Sequence, residues 1–510
     1  MSVVDTAYGS VNGIAREGVH AFRGIPYAAA PDGGRRFRPP ERPASWEGVR
    51  PSRFGDVVRQ ARAQGQFGDL FLPPNPQGSD CLNLNVWTPD PGAAGLPVLV
   101  WIHGGAFVIG SGSDGVYDGT TFARNGVVAV TINYRLGVDG FLHTGPSYEG
   151  SGNFGMLDQI AALEWVQENI AAFGGNPAQV TIAGESAGGM SVGTLLAMPK
   201  ARGLFRRAIP QSGAGHNGIT TDGANAVAAE LFRMLGLEKG DVGGLIASPY
   251  QRVLDAQSAI TEDLAVSTDA DKYGDLIAST ARMAWQPLIG LDEVPKRPVD
   301  AVSSASAAGV DLLVGCTADE YHLFLGIDPA ALGIDASMVD ALYDAVFGSA
   351  GKDGSAALEQ YRKSRPDASD LDLLAAMQTD QVFRIPAIRL AEAQLANHPD
   401  VWMYRLSWPS PAFDGAIKAG HATDIPFMFD NLDDELARAL IGDSAPQSLA
   451  DEMHGAWVSF IKGDGPGHAG IPAWPRYDIV DRPTMDFDDG TTKIVNDPDD
   501  SERRLWDGVL

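Results

Sequence analysis

Residues 179–189 read QVTIAGESAGG, an apolar run that leads into a series of small residues. The apolar run 179–184 predicts a short buried strand, and the small residues from Glu185 onward predict a helix packed inside the fold. Gly184, Ser186 and Gly188 form a G-x-S-x-G pattern at the junction. On a tight strand-to-helix turn, the backbone of such a serine is strained and its hydroxyl stands above the sheet, near a helix N-terminus that favours negative charge. The alternative is an ordinary glycine turn, because the chain has 60 glycines.

Outward from this stretch, strand-like and helix-like runs alternate, which is typical of an α/β fold with a mostly parallel sheet. No repeat and no long linker divides the chain, so we expect a single domain over 1–510. Weakly periodic segments at 216–300 and 326–398 are expected to be helical insertions. The further predicted elements are strands at 96–102, 127–137, 310–315 and 401–408, helices at 157–173 and 448–463, and a surface hairpin at 481–492.

Composition excludes several classes of function. The chain has 510 residues, 44% of them hydrophobic, and a net charge of -27, which argues against binding to nucleic acid or to an anionic membrane surface. No apolar run is long enough to span a bilayer, and the N-terminus has no secretory signal pattern. The two cysteines, Cys81 and Cys316, form neither a disulfide framework nor a metal motif. We therefore expect a cytoplasmic protein without a metal, a cofactor or a membrane anchor; the oligomeric state stays open.

A glycine turn, His103-Gly104-Gly105-Ala106-Phe107, directly follows the predicted strand 96–102. Backbone N–H groups in such a turn can stabilise an oxyanion, and the N–H that follows the nucleophilic serine, here that of Ala187, can supply a further donor. By itself, this turn is also compatible with a packed histidine.

A serine nucleophile needs a base and an orienting carboxylate, and in α/β folds with the serine on such a turn they occur in the chain order serine, acid, histidine. Because active-site groups follow the carboxyl ends of strands, His421 is the best candidate for the base, although a structural histidine is the alternative. Asp319 and Glu320 follow strand 310–315, and this reasoning does not separate them. The five other histidines after Ser186 lie too early in the chain, before a strand, inside a helix or in the terminal loop: His216, His322, His398, His454 and His468.

The chain resembles the type-B carboxylesterase/lipase family, which includes bacterial para-nitrobenzyl esterases and the cholinesterases. The resemblance runs almost from end to end. It is carried by FRGIPYAAAP from residue 22, SDCLNLNVWTP from 79, LVWIHGGAFVIGSG from 99, NFGMLDQIAALEWVQENIAAFGGNP from 153, VTIAGESAGG from 180, GCTADE from 315 and HATDIPF from 421.

The resemblance implies an α/β-hydrolase fold and metal-free ester hydrolysis through an acyl-enzyme. The nucleophile would be Ser186, the base His421, and the acid Glu320, the second residue of the Asp-Glu pair. The oxyanion hole would consist of the N–H groups of Gly104, Gly105 and Ala187. Two departures stand out: Tyr321 follows Glu320 where the family usually has glycine, and no cysteine precedes Cys81 to form the disulfide of secreted relatives.

The substrate is expected to be a small ester with a short- to medium-chain or aromatic group, in a gorge walled by 216–300 and 326–398. Phe107, Met190 and Trp285 are candidates for lining its pocket, with core packing as the alternative. Polar residues in the family-like segments are interpreted as structural: Asp80, Arg135, Glu185 and Ser212. The competing hypotheses are amide or carbamate hydrolysis with the same triad, and a non-catalytic binding module on the same fold.

Overall fold

The fold is built on one large twisted sheet. A computed structural model describes residues 2–62, 68, 70, 71, 76–145, 148–279 and 281–510, and thirteen strands of these residues form the sheet. The strands are β1 Ser2–Asp5, β2 Ser10–Arg16, β3 Val19–Pro26, β4 Val49–Arg50, β5 Asn83–Thr88, β6 Leu96–Ile102, β7 Val128–Ile132, β8 Gly175–Glu185, β9 Arg207–Gln211, β10 Asp311–Thr317, β11 Val401–Leu406, β12 Pro483–Phe487 and β13 Lys493–Asn496.

The strand order brings the carboxyl ends of β6 and β8 side by side. The order is β1-β2-β3-β5-β7-β6-β8-β9-β10-β11-β12-β13, with β4 beside β2. Pairing is parallel from β7 to β12 and between β2 and β4, and antiparallel in the other pairs. The chain runs from β6 to β7 on one side and then to β8 on the other, so β6 and β8 flank a topological switch point. Ligands of open parallel sheets bind beyond the carboxyl ends of the strands at such a point.

Two hydrophobic layers cover the faces of the sheet. Along β6, Val98, Val100 and Ile102 point into one layer, whereas Leu99 and Trp101 point into the other, as the two-residue period of a strand requires. Helices pack on both layers. This arrangement is the α/β-hydrolase fold with a mostly parallel sheet, as the sequence predicts.

The helices of the described residues fall between the strands and in the two long segments. Within these residues, no helix combines the length and apolar character needed to cross a bilayer. The helices are α1 Thr120–Arg124, α2 Gly137–Phe141, α3 Phe154–Asn169, α4 Ala187–Ala197, α5 Thr221–Leu235, α6 Val242–Ala247, α7 Tyr250–Val266, α8 Ala270–Tyr273, α9 Pro298–Ser303, α10 His322–Leu325, α11 Pro329–Leu332, α12 Ala336–Ser349, α13 Gly354–Ser364, α14 Asp370–Thr379, α15 Ile385–Leu395, α16 Ile425–Phe429, α17 Glu435–Ile441, α18 Gln447–Lys462 and α19 Asp500–Arg503.

The predicted surface hairpin at 481–492 is wrong in one respect. Its first strand, β12, is buried along its whole length and extends the parallel sheet beyond β11. The threonine and the aspartate of PTMDF are polar residues that indicate a surface position in the sequence. Asp486 is neutralised inside the sheet, because it accepts two hydrogen bonds of 3.0 Å from the guanidinium of Arg405 on β11. A buried carboxylate with such a partner is compatible with a core strand.

Candidate active site

Ser186 lies on the turn between β8 and α4. Its backbone angles, φ 57° and ψ -123°, are in a region that non-glycine residues rarely occupy. The N–H of Ser186 donates to the Gln211 carbonyl oxygen on β9 at 3.0 Å, which ties the turn to the sheet. A Cβ at Gly188 would overlap the Ile102 carbonyl oxygen of β6, so the second glycine of the pattern is required for close approach. The turn therefore has the strand-to-helix geometry that the sequence predicts.

The glycine turn after β6 lies beside Ser186. The pairing of Ile102 with Gly184 brings the two strand ends level, and a Cβ on Gly104 would lie only 3.0 Å from the Ser186 Cβ atom. Gly105 has φ 107°, a backbone conformation that favours glycine. Neither the Gly104 nor the Gly105 N–H finds a hydrogen-bond acceptor within the described part of the chain. Two free amide donors thus lie next to the serine.

His103 braces this turn. Its carbonyl oxygen accepts a hydrogen bond of 2.9 Å from the Tyr134 hydroxyl, and its Nδ1 lies 2.8 Å from the Gly104 carbonyl oxygen. Burial lowers the pKa of His103 to about 4, so the ring is neutral and Nδ1–H donates to Gly104. The ring also stacks on Tyr134 with centroids 4.6 Å apart. His103 is therefore a packed histidine that shapes the glycine turn.

Glu320 and His421 are in direct contact in the loops that follow β10 and β11. The Glu320 carboxylate accepts from the Thr317 N–H at 2.8 Å, and its other oxygen contacts Nδ1 of His421. The His421 N–H donates to the Glu320 carbonyl oxygen at 3.1 Å, which holds the two loops together. Asp319, by contrast, is 22% exposed and lies 4.0 Å from His322. The structure therefore brings Glu320, and not Asp319, into contact with His421, a distinction that strand position alone did not give.

A second carboxylate faces the other nitrogen of His421. Glu185 is buried, and its Oε1 lies 3.1 Å from His421 Nε2. Burial alone would lower the pKa of His421, but the Glu185 and Glu320 carboxylates outweigh it and raise this pKa to about 9. Burial raises the pKa of Glu185 to about 8. Glu185 is interpreted from the sequence as a structural residue that ties a loop to the sheet, and its carboxyl group, at the end of β8, lies against the imidazole of the loop after β11.

Sequence reasoning missed the polar residues behind His421. The carboxylate of Asp424 accepts from the Tyr404 hydroxyl at 2.8 Å and from the Gln211 side chain at 3.0 Å. Gln211 in turn accepts from the Trp457 indole N–H at 3.0 Å. Burial raises the pKa of Asp424 to about 6. Asp424 lies in the HATDIPF segment, but a polar residue in such a segment gives no indication of which distant groups it will meet.

Ser186 and His421 line the same cavity, which has a volume of about 1020 Å³. The carboxyl ends of β6 and β8 form part of its floor, and α7 and α17 contribute to its walls. No described residue of 326–398 lines it. Its apolar lining comprises Leu70, Phe71, Val108, Ile109, Val116, Leu323, Phe324, Phe413, Ile425, Leu436 and Leu440, together with several alanines.

The three residues predicted to line the pocket lie in the hydrophobic core instead. Phe107 is fully buried and packs edge-on against Phe141, with centroids 4.9 Å apart. Met190 is buried inside α4. Trp285 is one layer behind the wall, where its indole N–H donates to Thr261 Oγ1 at 3.2 Å. The conformation of the loops determines which side chains reach the cavity, and no local sequence pattern predicts that conformation.

Comparisons with known proteins agree with this geometry. The sequence profile of the carboxylesterase family matches residues 1–506. The chain is 38% identical over 507 residues to the para-nitrobenzyl esterase of Bacillus subtilis (strain 168), covering 98% of each protein. It is 31% identical over 503 residues to the phenmedipham hydrolase of Pseudarthrobacter oxydans, covering 97% of each. Among solved structures, carboxylesterase EST55 of Geobacillus stearothermophilus superimposes with a TM-score of 0.86 at 38% identity, over 99% of this chain and 100% of that one.

An α/β-hydrolase fold with a serine on a strained turn beside a buried histidine–carboxylate pair defines a serine hydrolase. The match over almost the entire chain then gives the family. The protein belongs to the carboxylesterase family and is a serine carboxylesterase that hydrolyses carboxylic esters.

Proposed function

We propose that Ser186, His421 and Glu320 form the catalytic triad of this esterase, with Gly104, Gly105 and Ala187 as its oxyanion hole. The observation that carries the proposal is the imidazole of His421. Its Nδ1 contacts the buried Glu320 carboxylate, and its ring lines the cavity that also exposes Ser186. A base oriented in this way by a carboxylate is the arrangement that activates a serine hydroxyl.

Acylation begins when neutral His421 accepts the proton of the Ser186 hydroxyl at Nε2, while Oγ attacks the ester carbonyl carbon. The carbonyl oxygen becomes an oxyanion next to the free N–H groups of Gly104 and Gly105 and the first N–H of α4, that of Ala187. Glu320 stabilises the resulting imidazolium through Nδ1. Collapse of the tetrahedral intermediate breaks the bond to the alcohol, which leaves with the proton from Nε2.

Deacylation reverses these roles. A water molecule gives one proton to Nε2 of His421 and attacks the acyl carbon, and the same N–H groups hold the second oxyanion. Collapse releases the carboxylic acid and returns the proton to Ser186 Oγ. Each proton donated to the ring is given back, so no other acid or base is required.

We propose that the substrates are esters with apolar acyl and alcohol groups of short to medium length, or with aromatic groups. The cavity has the volume for such groups, and its lining is predominantly aliphatic and aromatic. Of the two long helical segments, 216–300 forms part of the wall through α7, whereas 326–398 supports the site from behind.

The test is turnover of a chromogenic para-nitrophenyl ester. Ser186→Ala should lower kcat by roughly four orders of magnitude or more, because triad members act as a unit. Ser349→Ala, at the exposed end of α12, is the matched control and should keep the native rate. Native turnover by Ser186→Ala would show that another residue is the nucleophile.

We also propose that the enzyme works in a reducing compartment, the cytoplasm. Cys81 and Cys316 are both buried and unpaired, and burial raises the pKa of each thiol. Subcellular fractionation of the producing cells tests this; recovery of the enzyme outside the cytoplasm would contradict it.

A further inference from the structure

The His421 imidazole is in contact with two phenyl rings. The Phe383 ring centroid lies 4.7 Å from that of the imidazole, with an angle of 36° between the planes. The Phe324 centroid lies 5.2 Å away at 42°. Phe383 is buried, whereas Phe324 is partly exposed and lines the cavity. The imidazole that is proposed to transfer the proton is thus packed against two aromatic side chains as well as contacted by two carboxyl groups.

Tyr321 joins the two phenyl rings. Its ring centroid is 5.2 Å from that of Phe324 and 5.8 Å from that of Phe383. Its N–H donates to Thr379 Oγ1 at 3.2 Å, which anchors it to the end of α14. Tyr321 directly follows Glu320, so the residue beside the acid also buttresses the rings beside the base. We call Tyr321, Phe324 and Phe383 the aromatic cluster.

An irregular turn of helix presents Phe383 to the histidine. Residues Asp380–Arg384 form a π-helical turn between α14 and α15. The turn is anchored by a buried ion pair, in which Arg384 donates to both Asp380 oxygens, at 2.5 Å and 2.8 Å, and also to the Pro498 carbonyl oxygen at 2.8 Å. Turns of this kind occur often at functional sites, because the extra residue redirects a side chain.

We propose that the aromatic cluster consists of positioning residues that hold the His421 ring with Nδ1 on Glu320 and Nε2 directed into the cavity. This inference rests on the proposed function of His421. Within the described part of the chain, the polar contacts of the imidazole ring are at its two nitrogens, and two such contacts still allow the ring to tilt about the line that joins them. Packing of ring against ring limits this tilt, and an error of about 1 Å in the placement of a catalytic group can cost on the order of 100-fold in rate.

The rings also determine what surrounds the charged form of His421. The titratable groups that face it are Glu185 at the end of β8, Glu320 after β10 and Asp424 before α16. The two phenyl rings that contact the imidazole, Phe324 and Phe383, add neither a charge nor a hydrogen-bonding group. They therefore constrain the orientation of the ring, whereas the carboxylates determine its protonation state.

The experiment compares Phe383→Leu with Phe347→Leu. Phe347 is a fully buried phenylalanine of α12 that packs against Trp506, away from His421, so it matches the loss of a buried ring. We expect Phe383→Leu to lower kcat by roughly 10- to 100-fold with little change in KM, and Phe347→Leu to lower thermal stability while leaving kcat close to the native value.

A spectroscopic signature separates positioning from general stability. The Nδ1–H proton held between His421 and Glu320 should give a far-downfield proton resonance in the native enzyme and in Phe347→Leu. This resonance should broaden or disappear in Phe383→Leu. Tyr321→Ala should produce a smaller loss of kcat, and Tyr321→Phe should recover most of it, because it retains the ring. The Tyr321 pair keeps the test decisive if Phe383→Leu does not fold.

The inference fails if Phe383→Leu and Tyr321→Ala both match Phe347→Leu in kcat and retain the resonance. A change in KM alone would also overturn it, since the rings would then act on substrate binding. These outcomes are distinct from failure of the proposed triad, which native turnover by Ser186→Ala would reveal independently of the cluster.

Discussion

The carboxyl groups of Glu185 and Glu320 lie at the two nitrogens of the buried His421 imidazole. Where they are ionised they favour the imidazolium, whereas the proposed mechanism requires the neutral ring at the start of each cycle. Their combined effect raises the pKa of His421 to about 9, so the proposed base is mostly protonated near neutral pH. The consequence is a rate that rises on the alkaline side of neutrality.

The pH profile of kcat/KM should show this directly. With the pKa of His421 raised to about 9, the rate should increase with pH until the ring is deprotonated. Glu185→Gln removes one of the two carboxylates and should shift the acid limb to lower pH. Glu262→Gln, which changes a cavity carboxylate that does not face His421, should leave the limb in place. If both variants leave the acid limb of the pH profile unchanged, the Glu185 carboxylate does not influence the pKa of His421.

Steric demand at the turn gives a second residue-scale prediction. Gly188→Ala should destabilise the protein by about 1–3 kcal/mol or more, because the new Cβ would overlap the Ile102 carbonyl oxygen. Gly348→Ala in α12 is the control: no atom lies within 4 Å of the added Cβ, and we expect a gain of about 0.5–1 kcal/mol from helix propensity. Urea unfolding measures both; equal stability of the two variants would contradict the close approach.

At the scale of secondary-structure elements, the sequence predicted the elements whose apolar runs and glycines lie close together in the chain. The strand, serine and helix from β8 to α4 follow each other within about twenty residues, and their glycines and apolar runs are visible in the letters. β12 was mistaken for part of a surface hairpin, because its partner for Asp486 is Arg405, far away in the sequence. Polarity that is neutralised by a distant residue cannot be distinguished from solvent exposure in a single sequence.

The contribution of the Arg405–Asp486 ion pair to the stability of the sheet at β12 can be tested. Asp486→Asn should lower the free energy of unfolding by about 3 kcal/mol, since it leaves the mostly buried Arg405 guanidinium without its bidentate partner. Asp443→Asn, at a residue whose side chain is 90% exposed, serves as the control and should change stability by less than about 0.5 kcal/mol. Denaturant titration monitored by tryptophan fluorescence gives both values. An unchanged midpoint for Asp486→Asn would argue that β12 is peripheral.

At the scale of the whole molecule, the site prediction depends on the tendency of active sites to lie beyond the carboxyl ends of parallel strands. Ser186, Glu320 and His421 each follow the carboxyl end of a strand, and such ends share one edge of the sheet. Their convergence could therefore be anticipated from strand order and the family resemblance. The cavity wall could not, because Phe71, Phe324 and Phe413 come from loops and short turns whose course depends on contacts made throughout the fold.

Charge is also a property of the whole molecule, and it should affect substrate choice. The chain carries a net charge of -27, and among the residues that the structure describes, five with carboxyl groups line the cavity together with the guanidinium of Arg62. The carboxylates are Asp114, Glu185, Glu262, Asp434 and Glu435. Burial raises the pKa of Asp114 to about 7, so part of this charge develops only above neutrality.

A neutral ester and a matched ester with a distal free carboxylate should therefore differ. We expect kcat/KM for the neutral ester to be on the order of 10-fold higher at low ionic strength, and the difference to narrow as salt screens the cavity charges. Steady-state kinetics at low and high salt measures this. Equal rates for the two esters at low salt would show that the lining carboxylates do not influence the substrate.

The proposed triad brings residues from distant parts of the chain together into one catalytic unit. The most direct measurement is covalent labelling with a fluorophosphonate, followed by peptide mapping by mass spectrometry. We predict a single adduct on Ser186 in the native enzyme, none in Ser186→Ala, and labelling slowed by orders of magnitude in His421→Ala. An adduct on a different serine, or labelling of His421→Ala at the native rate, would contradict the proposed triad.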